Sequence, residues 1–259
     1  MTKSAQAPRC ILITGATGAI GGALAREYAA PGTTLILQGR DTARLAAIAA
    51  ATEARGARVL THACDLRDAT ALRAWLANIT AAEPLDLFIA NAGININIGP
   101  DRAGERWEMT EALLDINIKG TIAGIDAVLP AMRRRGKGQI ALLSSLAACY
   151  GLPVTPSYSA SKAALKAYGE ALRGWLRSEG IRVNVVMPGY VESDMCRNMP
   201  GPKPFLWSAE RAARVIRRRL AADDPRISFP VPLSWGCWWL SVLPPRVAER
   251  ILHLLEYGG

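Results

Sequence analysis

Histidine is scarce in this chain and cysteine is scattered. Among 259 residues there are two histidines, His62 and His253, and five cysteines, at 10, 64, 149, 196 and 237. The cysteines are odd in number, none forms a C-x-x-C pair, and neither histidine has a ligand-spaced neighbour. This excludes the common thiolate and imidazole metal patterns, so no metal is expected. Scattered single thiols fit a reducing, cytoplasmic setting better than a disulfide framework. No apolar run approaches the roughly 20 residues of a membrane-spanning helix. The opening "MTKSAQAPRC" lacks the apolar core of an export signal. No Pro/Ser/Gly-rich linker, internal repeat or low-complexity tract divides the chain, and the whole of 1–259 is expected to form one domain.

Half the residues are hydrophobic and 20% are charged, enough for a large α/β core. The net charge of +9 would attract anions, whether a cofactor, a nucleic acid or anionic lipid. Basic clusters occur at 133–137 (RRRGK) and 214–219 (RVIRRR), but no nucleic-acid-binding motif accompanies them, and no nucleic-acid partner is expected.

Six β-branched apolar runs recur at 10–14, 34–38, 58–63, 85–90, 138–144 and 182–187, and a shorter one at 226–231. Helical patterns separate them, among them 19–30 and 41–56, the latter with Gly56 as an expected C-cap. Alternating strands and helices predict a Rossmann-like, doubly wound parallel sheet of about seven strands with helices on both faces. Ligands of such sheets bind at the carboxyl ends of the strands, so functional motifs should follow strands.

The segment "ILITGATGAIGGAL" obeys that rule. A buried strand runs into Gly15, Gly18 and Gly21, and a helix follows. The spacing allows a tight turn, close backbone approach to a pyrophosphate and free helix N–H groups facing it. The second strand ends at Gly39 and Arg40, where dinucleotide sites for a free ribose often carry an acid. A guanidinium suits a 2′-phosphate and a glycine leaves room, which points to NADP(H) over NAD(H). The third and fourth strands lead into "CDL" (64–66) and "NAG" (91–93), where Asp65 could accept from the adenine amino group and Asn91, Ala92 and Gly93 would run under the ribose.

In "YSASK" a tyrosine, Tyr158, precedes a lysine, Lys162, by four residues in a helical run. That spacing puts both on one helix face, where an ammonium would lower the phenol pKa and fit it for proton transfer.

Taken in order, these motifs resemble the short-chain dehydrogenase/reductase family from about Cys10 to Ser193, in its short form. "TGATGAIG", "CDL", "NAG", "INIKG", "LLSS", "YSASK" and "MPGYVES" follow one another as the family's motifs do. The resemblance implies a catalytic set of Asn117, Ser145, Tyr158 and Lys162, with Ser145 lying 13 residues before Tyr158. In it Tyr158 is the general acid/base and Lys162 holds the nicotinamide ribose. Ser145 bonds the substrate oxygen, and Asn117 anchors a water for proton relay. The implied cofactor contacts are Gly15, Thr17, Gly18, Ile20, Gly21, Arg40, Asp65, Leu66, Asn91, Ala92, Gly93, Tyr158, Lys162, Pro188, Gly189, Val191 and Ser193. The implied activity is hydride exchange between NADP(H) and a small-molecule carbonyl or secondary alcohol, in a homodimer or homotetramer built on the Tyr158 helix and the one before it. The sequence departs from the family at Ala19, where the short form has its middle glycine; the TGxxGxxG spacing is that of epimerase-like members. A sugar-nucleotide epimerase or dehydratase is therefore an alternative, opposed by the 70 residues left after Gly189; a non-catalytic dinucleotide-binding regulator is another.

Residues near Leu146, Leu152 and Tyr190 and the stretch 194–210 are expected to build the substrate pocket, with 194–259 as lid and apolar extension. The segment 231–245 holds three of the seven tryptophans and no charge, and a helix is expected to start at Pro244-Pro245. Tryptophan beside arginine suits either an anionic membrane surface or a buried edge or subunit contact.

Overall fold

The structure is a computed structural model and describes residues 7–99 and 101–255. Seven strands form one parallel sheet: β1 (Cys10–Ile13), β2 (Thr34–Gly39), β3 (Arg58–Ala63), β4 (Leu87–Ala90), β5 (Gly138–Leu143), β6 (Ile181–Pro188) and β7 (Arg226–Phe229). Their order is β3-β2-β1-β4-β5-β6-β7, so the winding reverses between β1 and β4 and opens a crevice at the carboxyl ends there. The seven expected strands are all present.

Alternate residues of the central strands feed opposite cores. Ile11, Ile13, Leu35 and Leu37 face α1 (Ala19–Tyr28), α2 (Thr42–Glu53) and, through Ile216 and Leu220, the later helix at Ala209–Ala221. Leu12, Ile36 and Phe88 face α3 (Ala69–Ala82), α5 (Thr121–Arg135) and α6 (Pro156–Leu176). Burial on both faces explains why these strands read as continuous apolar runs. Each fully buried leucine or isoleucine contributes about 1.5–3 kcal/mol of transfer free energy.

Before α5, α4 (Trp107–Leu114) runs into a widened π-turn at Asp115–Gly120. After β6 come the short α7 (Asp194–Arg197) and then α8 (Ala209–Ala221). After β7 come α9 (Val231–Val242) and α10 (Pro245–Leu254), which starts where the proline pair predicts. Helix α2 ends earlier than expected. Its C-cap is Ala54, and Gly56, with φ +87°, lies beyond it in the turn toward β3.

The tryptophans of α9 do not cover the sheet edge. Trp235, Trp238 and Trp239 are 63%, 47% and 51% exposed, and Leu240 is the residue of α9 that is buried, against Ala248 and Leu252 of α10. Among the described residues no helix is long and apolar enough to cross a membrane, and no cluster of metal-ligating side chains occurs.

Candidate active site

One cleft of about 940 Å³ runs along the carboxyl ends of the strands. At one end it is floored by the turn between β1 and α1. Gly15 has φ +64°, and a Cβ there would lie 2.7 Å from the Ala92 Cα, so only glycine fits. Gln38 holds this turn: its Oε1 accepts from the Gly15 N–H at 3.1 Å while its Nε2 donates to the Cys64 carbonyl at 2.8 Å. The side chain of Asn91 donates to the carbonyls of Thr14 and Gly15, both at 3.0 Å, and so ties the β4 end to the turn.

Helix α1 starts at Ala19 with Gly18 as N-cap, no side-chain cap bond and no acid in its first turn. Its free N–H groups are open to an anion, and Gly15, Thr17, Gly18, Ala19 and Ile20 line the cleft. Gly21 does not line it. A Cβ there would sit 2.3 Å from the Gly15 carbonyl oxygen, so this glycine serves helix–turn packing, and Gly22 lines the cleft instead. Ala19, the departure from the short-form pattern, is the first helical residue.

Arg40 borders the cleft together with Arg26 and Arg44, two arginines the motif reading passed over. Asp41 is occupied as the N-cap of α2, accepting from the Arg44 N–H at 2.9 Å. The space that Gly39 leaves is filled by Thr17, whose Cγ2 would lie 2.6 Å from an added Cβ; it does not stand open for a phosphate. Asp65 and Leu66 also line the cleft. The Asp65 carboxylate accepts from Arg67 Nε at 2.9 Å and Nη2 at 2.6 Å, and these bonds hold its pKa below the usual range. The cradle, the open helix terminus and three arginines at one end fit a phosphorylated dinucleotide.

At the middle of the cleft, the end of β5 and the start of α6 bring Ser145, Tyr158 and Lys162 together. The two serines divide the work. Ser144 is buried and its hydroxyl donates to the Lys162 carbonyl at 2.7 Å, clamping α6 to β5. Ser145 faces the cleft, accepts from the Ala147 N–H at 3.1 Å and hydrogen-bonds the Tyr158 phenol.

Lys162 is buried, donates to the Leu143 carbonyl at 2.8 Å and lies 5.6 Å from the Tyr158 ring centroid. Loss of solvent brings its pKa down to about 8. The phenol does not follow the expectation of a lowered pKa. Burial pushes Tyr158 up, the Ser145 hydrogen bond opposes the rise, and Lys162 is not among the causes.

Asn117 sits in the π-turn, fully buried. Its Oδ1 accepts from the Ile94 N–H at 2.8 Å, and its Nδ2 donates to the Ile94 carbonyl and to Ser161 Oγ, both at 3.0 Å. A Cβ on Gly93 would lie 3.1 Å from Asn117 Oδ1 and 3.2 Å from Lys162 Nζ, so the two side chains meet against the NAG loop. Ala92 and Gly93 line the cleft above them.

Pro188 ends β6, Gly189, Val191 and Ser193 follow it, and all four line the next part of the cleft. Ser193 caps α7, accepting from the Cys196 N–H at 3.0 Å. Of the stretch expected to build the substrate pocket, Asp194, Met195, Cys196, Arg197 and Met199 line the cleft, with Leu146, Leu152 and Tyr190. The reading missed most of the far wall, which comes from α9 and α10. The uncharged, apolar 231–245 was its signal.

The sequence model of the short chain dehydrogenase family matches residues 9–202. An uncharacterized oxidoreductase of Myxococcus xanthus is 34% identical over 245 residues, 93% of this chain and 92% of its own. An NADP-dependent 3-hydroxy acid dehydrogenase of Salmonella typhi is 29% identical over 248 residues, 95% of this chain and 94% of its own. Among solved structures, a metagenomic short-chain oxidoreductase in complex with NADP superposes with TM-score 0.72 at 28% identity, covering 85% of this chain and 96% of its own. A short chain dehydrogenase from Mycobacterium paratuberculosis bound to NAD gives TM-score 0.75 at 26%, covering 88% and 98%. With the parallel sheet, the glycine turn and the Ser145–Tyr158–Lys162 arrangement in one cleft, these matches establish that the chain belongs to the short-chain dehydrogenase/reductase family of oxidoreductases.

Proposed function

We propose that the chain is an NADP(H)-dependent carbonyl reductase or alcohol dehydrogenase. The observation that carries this reading is the convergence of Ser145, Tyr158 and Lys162 midway along a cleft whose other end is a phosphate cradle bordered by Arg26, Arg40 and Arg44. Bound NADPH supplies the hydride to the carbonyl carbon, and NADP takes it back from the alcohol. The Ser145 hydroxyl donates to the substrate oxygen as negative charge grows there. Tyr158 gives that oxygen a proton, or takes one from the alcohol in reverse. Lys162, mostly protonated at neutral pH, orients the ribose hydroxyls. Asn117 holds the Ile94 backbone and Ser161 in place around the lysine.

Tyr158→Phe tests the assignment: turnover should fall by orders of magnitude while NADPH binding, measured by calorimetry, stays near that of the parent. A phenylalanine variant with parental turnover overturns it. The complete Ser145, Tyr158, Lys162 and Asn117 set favours an enzyme over a regulator.

The surface supports two finer readings. Arg133 of α5 stacks 4.7 Å over the exposed Trp175 of α6, and we place the homodimer or homotetramer contact on these two helices; sedimentation velocity of Trp175→Glu tests it. The exposed tryptophans of uncharged α9 beside Arg246 and Arg250 of α10 support peripheral attachment of a cytoplasmic protein to anionic membrane. Salt-reversible sedimentation with anionic vesicles, lost in Trp238→Ala/Trp239→Ala, tests that.

A further inference from the structure

Beyond Tyr158 the cleft continues into a chamber with a marked chemical bias. It is lined by Leu146 and Leu152, by Leu233 and Leu240 of α9 and by Ile251 and Leu252 of α10, with Leu233 packed against Leu146 and Leu152 against the Leu240–Leu252 cluster. Among the described residues, α9 and α10 contribute no charged side chain to this lining. Arg246, Glu249 and Arg250 of α10 are exposed and lie outside it. Cys237, also in the wall, is neutral: burial pushes its thiol up to about 12.

The charged groups of the lining on the chamber side are Glu192, then Asp194 and Arg197 of α7, and Arg44, which is itself paired with Asp194 at 3.7 Å and Asp41 at 3.4 Å. Arg197 is already paired with Asp194. Lys162 is turned to the Leu143 carbonyl. An anionic head group in the chamber would therefore lose its water without gaining a cation, which is unfavourable. An alkyl or alicyclic body would gain contact on every side. Trp239, Leu243 and Leu255 add further apolar lining.

Resting on the proposed reductase reading, we infer that this chamber selects an uncharged, extended apolar ketone, or the matching secondary alcohol, and discriminates against short oxo acids. This separates the chain in substrate class from the relative named for 3-hydroxy acids.

The test uses 3-oxobutanoate and 3-oxodecanoate, each as free carboxylate and as methyl ester, with NADPH. A parallel calorimetric titration with 2-decanone reads occupancy of the chamber without turnover. Methyl 3-oxodecanoate should exceed both carboxylates and methyl 3-oxobutanoate by at least tenfold in kcat/KM. Gly236 lines the chamber and a Cβ there meets nothing within 4 Å, so Gly236→Leu fills space without displacing a neighbour. It should lower kcat/KM for methyl 3-oxodecanoate about tenfold, leave methyl 3-oxobutanoate within twofold, and weaken 2-decanone binding. Leu243→Arg should shift preference toward the 3-oxodecanoate anion. Fastest turnover of 3-oxobutanoate, an equal effect of Gly236→Leu on every substrate, or no saturable binding of 2-decanone would overturn the inference. Saturable binding that Gly236→Leu weakens, with no turnover of any of the four compounds, would instead overturn the reductase reading and leave the apolar chamber standing.

Discussion

The Ser144 hydroxyl is hydrogen-bonded to the main-chain carbonyl of Lys162 at 2.7 Å, so the residue beside Ser145 anchors the helix that carries the lysine. The two adjacent serines should therefore fail in different ways. Ser144→Ala removes a buried bond and should cost about 1–2 kcal/mol of stability. In a chain of this size that lowers Tm by about 2–6 °C. Ser145→Ala also loses the bond from the Ala147 N–H, so Tm should fall by no more than in the Ser144 variant, while kcat drops about 10²–10³-fold. Thermal unfolding and steady-state kinetics of both variants check the pair, and the reverse pattern would exchange their roles.

Arg40→Ala should raise KM for NADPH and leave KM for NADH nearly unchanged. One charge-assisted contact to phosphate is worth about 1.5–3 kcal/mol, or roughly 10- to 100-fold. Arg26 and Arg44 border the same end of the cleft, so the smaller figure is expected. A parent enzyme that uses NADH as well as NADPH refutes the 2′-phosphate assignment.

Lys162 imposes a pH dependence on stability with a definite sign. Its folded pKa, about 8, is below the 10.5 of a free lysine, so between those values the unfolded chain binds more protons. The unfolding free energy from this site rises with pH across that window and is flat below it. Tyr158, Tyr28 and Cys10 act oppositely at alkaline pH, because burial raises the pKa of each in the folded state. Comparison with Lys162→Met isolates the lysine. The stability of the parent relative to the variant should improve by about 3 kcal/mol from pH 7 to pH 10. Urea unfolding at both pH values measures it, and a pH-independent difference contradicts a buried ammonium.

Asn117→Ala should destabilise the protein by on the order of 3 kcal/mol, because it strips partners from the Ile94 N–H, the Ile94 carbonyl and Ser161 at once. Denaturant unfolding should show it. Lost turnover with unchanged stability would assign Asn117 to proton relay alone.

The sheet was legible because strands buried on both faces must be apolar throughout, and the glycine turn because its backbone tolerates no side chain at Gly15. The roles of Ser144 and Gly21 were not legible. Each depends on a neighbour distant in sequence or on a contact one residue out of pattern: the Lys162 carbonyl for one, the Gly15 carbonyl for the other. Gln38 left a signal, a single polar residue in an apolar strand, but its meaning required knowing that the Gly15 N–H lies beside it. The direction of the Tyr158 shift was misjudged because spacing gives the lysine's face and not how deeply the phenol is buried. Helices α9 and α10 were unreadable as a pocket wall, since apolar residues without charge look alike whether they face lipid, a subunit or a substrate.

The small apolar cluster of Leu240, Ala248 and Leu252 is separate from the two large cores that clothe the sheet. The last two helices are nonetheless seated on the layer that carries Ser145: Leu233 and Cys237 of α9 pack against Leu146, and the α10 cluster packs against Tyr150, Leu152 and Tyr190. A graft of this tail from a relative would have to carry Leu146 and Leu152 with it, because any change in its inner surface is passed to the segment that follows Ser145.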